Sequence, residues 1–246
     1  MARYEEAYCS ALNRLVAAEE LERFPDRYLD GLYCPECRTA KLNIANGRLI
    51  TAARAVHRTD CMLGGDLLSQ HQILALLTRP EGKAQIKWQL DKLMSGCGVD
   101  IVPQGEMPKR CIPRKRLTLP FRDEDWDTIK LFYGVVDVVW SGFNRNTRYE
   151  LAIYLPDSAK SLCRVKLAES VTEQLDPAVI PPDDGRRRCA LAFLGKFLSR
   201  RSIDQPFMLG AAQRGWAISA RYLSGSRHKY NLFPVQVYKP QEKKPE

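Results

Sequence analysis

The residues best suited to chemistry in this sequence are Cys34-Pro35-Glu36-Cys37, followed by His57 and Cys61. Cys-x-x-Cys sets two thiolates on one tight turn, where both can reach a single tetrahedral metal ion. His57 and Cys61, at His-x3-Cys spacing, supply the second pair of ligands. Between the pairs, Lys41 to Ile50 alternates apolar and polar residues around Asn46-Gly47, a strong hairpin signal because both turn residues tolerate positive φ. A hairpin returns the chain, so the two pairs can meet over one ion. With Cys34, Cys37, His57 and Cys61 filling all four positions, none is left for water, and the expected cofactor is a structural Zn2+. Two alternatives compete: a thioredoxin-like redox pair, which needs a helix starting at the Cys-x-x-Cys, and replacement of His57 or Cys61 by Cys97 or Cys111.

Catalytic constellations are not evident. The sequence contains no P-loop, no dinucleotide-binding glycine motif, no His-Glu-x-x-His and no nucleophile elbow. Its three histidines include His57, already assigned to metal. A metal-dependent nuclease needs converging carboxylates and a lysine. Asp137 and Glu150 fall on adjacent expected strands, but no lysine follows Glu150 two residues on. Asp123, Glu124, Asp125 and Asp127 read as a capping or exposed acidic turn. The expectation is a protein that is not an enzyme.

The elements that must position these residues belong to a 246-residue chain with 45% hydrophobic and 27% charged residues, a globular composition. The expected fold class is α+β: a small N-terminal helical and zinc-finger module followed by a basic mixed α/β region. Residues 1–97 comprise an N-terminal helix over 5–24, the finger, and helices near 66–79 and 83–94, with Trp88 in the core. Residues 98–126 form an extended basic connector, held open by prolines at 103, 108, 113 and 120. Residues 127–246 form an α+β nucleic-acid-binding region. Strands are expected at 129–140, 149–155 and 162–167, helices at 186–200 and 207–222, and a last strand at 230–238. No apolar run is long enough to span a membrane. The acidic N-terminus lacks a signal core, so a reducing cytoplasm is expected and the five isolated cysteines read as small core hydrophobes.

Charge is segregated. The chain carries 38 Lys/Arg against 29 Asp/Glu, a net +9. Residues 186–246 alone hold thirteen Lys/Arg against three acidic residues, so the remaining 185 residues sum to −1. Such asymmetry is the electrostatic footprint of phosphate-backbone binding. The candidate contacts are Lys109, Arg110, Arg114, Lys115 and Arg116 in the connector, then Arg186, Arg187, Arg188, Lys196, Arg200, Arg201, Arg227 and Lys229. On a helix, Arg188, Lys196 and Arg200 would share one face.

A Cys34-x-x-Cys37…His57-x3-Cys61 finger after an N-terminal helix, with a basic α+β remainder, resembles the large subunit of type IV CRISPR effector complexes. The resemblance implies a non-catalytic subunit of an RNA-guided antiviral and anti-plasmid complex. It would hold one end of the guide RNA and inspect target duplex DNA for a short flanking motif (PAM) before guide pairing. Its implied partners are guide RNA, target duplex DNA, the other subunits of the complex and a helicase, with no membrane. The alternative is a stand-alone zinc-finger DNA-binding regulator of plasmid or phage origin.

Overall fold

The computed structural model describes residues 4–28, 31–77, 79–119, 122–125, 128–140, 149–158, 161–167 and 187–198, with short strands at 207–209, 218–220, 230–232 and 236–238. The chain divides into two compact units, residues 1–67 with 107–111, and residues 68–106 with 112–246. Helices and several sheets coexist, so the fold is mixed α/β of the α+β kind.

The first unit begins with a hairpin where a helix is expected. Strands β1 (Glu6–Cys9) and β2 (Arg14–Ala17) pair antiparallel, and only Ala18–Arg23 forms the helix α1. The local reason is Asn13, whose φ of 48° closes the loop from Ser10, a conformation Asn tolerates. The distant reason is β3 (Leu32–Tyr33), which takes the other edge of β1 through Tyr8 opposite Tyr33 and Cys9 opposite Leu32. Helical periodicity is overridden by pairing with residues some twenty-four positions away. Next come β4 (Leu42–Ala45) and β5 (Arg48–Thr51), paired as the expected hairpin, with Asn46 and Gly47 at φ of 49° and 68° as a two-residue primed turn requires. Strand β6 (Asp66–Leu67) pairs parallel with β7 (Arg110–Cys111), which joins residues 107–111 to this unit. One apolar core, including Tyr4, Val16, Leu21, Tyr28, Leu42 and Leu49, holds these pieces together around Cys34, Cys37 and Cys61.

The second unit contains the helix pair, α2 (Gln70–Leu77) and α3 (Pro80–Gly96), with Pro80 at the first turn where its missing N–H costs nothing. Their corner is tight: a Cβ on Gly82 would lie 1.9 Å from the Leu76 carbonyl oxygen, so glycine is required there. Ile86, Trp88, Leu90 and Leu93 are all buried; Ile86, Leu90 and Leu93 share the face that helical spacing predicts, whereas Trp88 is buried on another side of α3. The helices begin at 70 rather than 66 because Asp66 and Leu67 are spent on β6.

The connector is not simply extended. Arg114–Arg116 forms β8, which runs parallel to β9 (Ile129–Trp140), so the basic run is folded into a sheet. Strands β10 (Tyr149–Tyr154) and β11 (Ser161–Leu167) follow as expected. The segment expected as a helix over 186–200 is instead β12 (Arg187–Leu198), paired antiparallel with β9 from Arg187–Val138 to Lys196–Ile129. Ala190 to Leu194 are all buried, which puts both faces of the strand in the core and produces a continuous apolar run. Phe132 and Phe193, directly opposite in the register, stack with ring centroids 5.5 Å apart. The helix expected over 207–222 is likewise corrected: strands β13 (Phe207–Leu209) and β14 (Ile218–Ala220) stand there. The final expected strand is two short ones, β15 (Tyr230–Leu232) and β16 (Gln236–Tyr238).

Pairing in this sheet returns on itself. Strand β10 pairs β9 and β11, β11 pairs β13, β13 pairs β12, and β12 pairs β9. A closed circuit of this kind hides strand edges. Among the described residues, no helix is long and apolar enough to cross a membrane.

Candidate metal centre

The loop carrying Cys34 and Cys37 is folded by its own backbone. The Cys34 N–H donates to the Ala40 carbonyl at 2.8 Å, and the Arg38 N–H donates to the Cys34 carbonyl at 2.9 Å. Arg38 takes a positive φ of 55° to complete the turn. After the β4–β5 hairpin, a turn bonded from Ala55 N–H to the Ala52 carbonyl redirects the chain toward His57. Cys61 then follows in a turn whose N–H donates to the Arg58 carbonyl at 3.0 Å. Glu36 joins the halves, its Oε1 accepting from the Met62 N–H at 2.9 Å.

The four expected ligands converge. Cys34 Sγ lies 3.7 Å from Cys61 Sγ, while His57 Nδ1 lies 3.5 Å from Cys37 Sγ and 3.3 Å from Cys61 Sγ. All four ligand atoms fall within 4.8 Å of one another. Zn–S and Zn–N bonds of ~2.3 and ~2.05 Å at the tetrahedral angle demand S–S edges of about 3.8 Å and S–N edges of about 3.6 Å. Three of the six separations lie near those edges and none exceeds 4.8 Å, so the side chains are arranged to close on a zinc ion. The site has no open corner, and its three cysteines are buried.

Electrostatics prepares the thiols. Burial opposes ionisation of Cys37, but the Ala40 N–H, the Thr39 hydroxyl at 3.1 Å and the Arg58 and Thr39 N–H groups outweigh it and bring this thiol down to about 5. Cys34 is lowered to about 7, chiefly by its hydrogen bond with Cys61, which is itself pushed up by the same contact and by burial. The two sulfurs share one contact of 3.7 Å, which a bound divalent ion would replace with two metal–sulfur bonds. Three thiolates and a neutral imidazole would leave the loaded centre at a net −1.

His57 is oriented by residues outside the ligand set. Its Nε2 lies 2.8 Å from the Tyr4 hydroxyl, which lies 2.7 Å from Thr51 Oγ1. With metal on Nδ1, Nε2 carries the proton and donates to Tyr4, fixing the tautomer as ligating histidines require. Gly64 packs beneath the ring, and a Cβ there would sit 2.7 Å from His57 Cβ. Sequence reading misses Tyr4 because it lies thirty residues before the first ligand, Cys34, and just ahead of a segment read as helix. The two competing ligands are absent from the cluster: Cys111 Sγ faces the Pro108 carbonyl at 3.9 Å, and Cys97 ends α3. No helix starts at Cys34–Cys37, so the redox-motif geometry is absent too.

No protein-family model, no curated protein and no solved structure matches this chain.

The candidate nucleic-acid contacts divide sharply. Lys109 and Arg110 are exposed in the first unit. Lys115 is a correction: it is 1% exposed and its Nζ bonds Asp125 at 2.9 Å, so it cannot reach a phosphate. Arg114 and Arg116 are half-buried, their guanidinium carbons 5.9 and 5.5 Å from the Tyr133 ring centroid. Arg188 stands on a strand, not a helix, and is engaged by Asp137 and Asp157, each at 2.9 Å. It therefore shares no helical face with Lys196 and Arg200. Arg187 and Lys196 sit on β12, and their side chains lie outside the described residues. Arg186, Arg200, Arg201, Arg227 and Lys229 lie outside the described residues altogether.

Of the two readings of the acidic turn, exposure is corrected at Asp125, whereas its bond from the Arg122 N–H caps the short 3-10 turn Asp123–Asp125. Asp125 is fully buried and accepts from Lys115, from Lys130 and from the Arg122 N–H at 2.8 Å. As for the nuclease pair, Tyr154 rather than Glu150 stands opposite Asp137. At ~3.3 Å per residue the register sets the Glu150 position about 13 Å along the strand from Asp137's partner.

Proposed function

We propose that this chain is a non-catalytic nucleic-acid-binding protein ordered by a structural zinc ion, acting as the large subunit of an RNA-guided effector complex of the type IV CRISPR kind. The observation that carries the reading is the closed four-ligand cluster, whose separations suit tetrahedral zinc and leave no position for a substrate or water. The ion's chemistry there is folding rather than turnover: it ties the Cys34–Cys37 loop to the His57–Cys61 turn and so fixes the hairpin between them. The net charge of +9 supplies a sequence-independent attraction to phosphate. In this role the protein holds the guide RNA end and inspects duplex DNA for its flanking motif.

The test is to purify the protein from its native host and to identify the nucleic acid and subunits that accompany it. Stoichiometric RNA with filament-forming subunits supports the effector reading. Site-specific duplex binding by the isolated protein replaces it with the regulator. Binding to neither RNA nor DNA at low salt refutes both. Purified protein given divalent metal should leave DNA intact, and cleavage abolished by Asp137→Asn would overturn the non-catalytic part.

A further inference from the structure

Between Glu36 and Asp60 the chain carries Arg38, Lys41, Arg48, Arg54 and Arg58 and not one acidic residue. The first unit as a whole has eleven Lys/Arg against ten Asp/Glu, so this is segregation within a nearly neutral unit rather than general excess. All five cations are exposed.

The hairpin register explains where they stand. Leu42 and Leu49 are buried in the core, with Ile44 packed against it, while Asn43 opposite Ile50 and Ala45 opposite Arg48 occupy the other face. Lys41 has the parity of Asn43 and joins that outer face, since alternate residues of a strand point the same way. Arg54 follows on the turn after β5, at a φ of 66°.

Two of the five cations are already engaged. Arg58 grips Asp60 with two bonds of 2.9 and 2.6 Å, and the Arg38 guanidinium lies 4.4 Å over the Tyr8 ring. Lys41, Arg48 and Arg54 have no ion-pair partner among the described residues. Grouped like charges disfavour the folded state, and here they sit on the one hairpin whose ends the metal cluster clamps.

We propose that the outer face of this hairpin, through Lys41 and Arg48 with Asn43 on the same face, together with Arg54 on the turn that follows it, is a docking surface for a nucleic-acid phosphate backbone. The inference rests on the nucleic-acid reading above and adds a place that the sequence candidates do not include. Guanidinium groups suit phosphate because their planar donors bond two oxygens at once. An extended hairpin presents them in a row to a polyanion, whereas a small anion would need a concave cradle.

The experiment uses full-length, zinc-loaded protein carrying Lys41→Gln, Arg48→Gln and Arg54→Gln together, which removes charge and keeps the side-chain stems. Metal content verifies that the finger remains folded. Binding to a 30-nucleotide RNA and a 30-base-pair DNA is measured between about 50 and 200 mM salt. Loss of three phosphate contacts lowers the log–log salt slope by about 2 on single strands or about 2.7 on duplex. A decrease on one polymer alone identifies which one the hairpin holds. A parent that binds and a triple variant with the same affinity and slope would overturn the hairpin proposal and leave the function intact. A parent that binds neither polymer would overturn both. Arg48→Gln alone, expected to lower the slope by about 0.7 to 0.9, decides the matter should the triple variant lose metal.

Discussion

Replacing Asp125 with Asn keeps the side-chain volume and one acceptor oxygen but removes the carboxylate that Lys115 and Lys130 share. All three side chains are essentially excluded from water, at 0%, 1% and 4% exposure. Breaking a buried ion pair typically costs about 3–5 kcal/mol, because the surviving charge stays buried. Here two ammonium groups lose the same partner, and the new amide N–H2 faces a cation, so the upper half of that range is expected. Domains are stable by only about 5–15 kcal/mol. With urea slopes of about 1–3 kcal/mol per M, the midpoint at pH 7 should fall by 1 M or more. The pH dependence gives a second readout. Burial works against ionisation of Asp125, but the Arg122 N–H, Lys130 and Lys115 outweigh it and hold the carboxyl below its ordinary value. A depressed carboxyl contributes stability that is fully present above its unfolded value of about 3.9 and is lost as pH falls through the lower folded value. Stabilities of parent and variant should therefore differ most near neutrality and converge in acid. An Asp125→Asn protein as stable as the parent at pH 7, or a gap unchanged down to pH 2, would refute the account of this cluster.

Metal analysis should find one equivalent of zinc, and Cys37→Ser should lose it together with solubility; a variant retaining a full equivalent would remove Cys37 from the ligand set. Tyr4→Phe deletes the hydroxyl that orients His57 and should weaken metal affinity by about 10–100-fold in a chelator competition, with the cobalt-substituted absorption bands shifted. Unchanged affinity would make the Tyr4 contact incidental. Gly64→Ala forces a carbon to within 2.7 Å of His57 Cβ and should lower metal affinity while leaving the second unit's unfolding untouched.

The metal cluster is legible in the sequence because its information is local: two short ligand spacings and an Asn46-Gly47 turn whose backbone demands are chemical. The hairpin, the helix pair and the strands from Ile129 to Leu167 carry their own periodicity and are legible for the same reason. Residues Arg187–Leu198 are not. A run buried on both faces loses the alternation that marks a strand, and only Gly195, a poor helix former, argues against a helix. The segment Glu5–Phe24 misleads differently, since its strand is stabilised by Leu32 and Tyr33. Lys115 and Asp125 resemble surface charges in sequence, and only the parallel pairing of β8 with β9 buries them together.

The first unit is discontinuous, and this orders events during synthesis. Its four metal ligands have all left the ribosome once Cys61 emerges, but Arg110 and Cys111, which pair with Asp66 and Leu67, lie some fifty residues further on. At about 5–20 residues per second, that delay lasts roughly 3–10 s. Through that interval a nascent finger can hold its ion while the β6 edge waits for a partner still being translated. A fragment ending at Leu67 would prolong that interval indefinitely, keeping the ligands and losing the strand that pairs with β6.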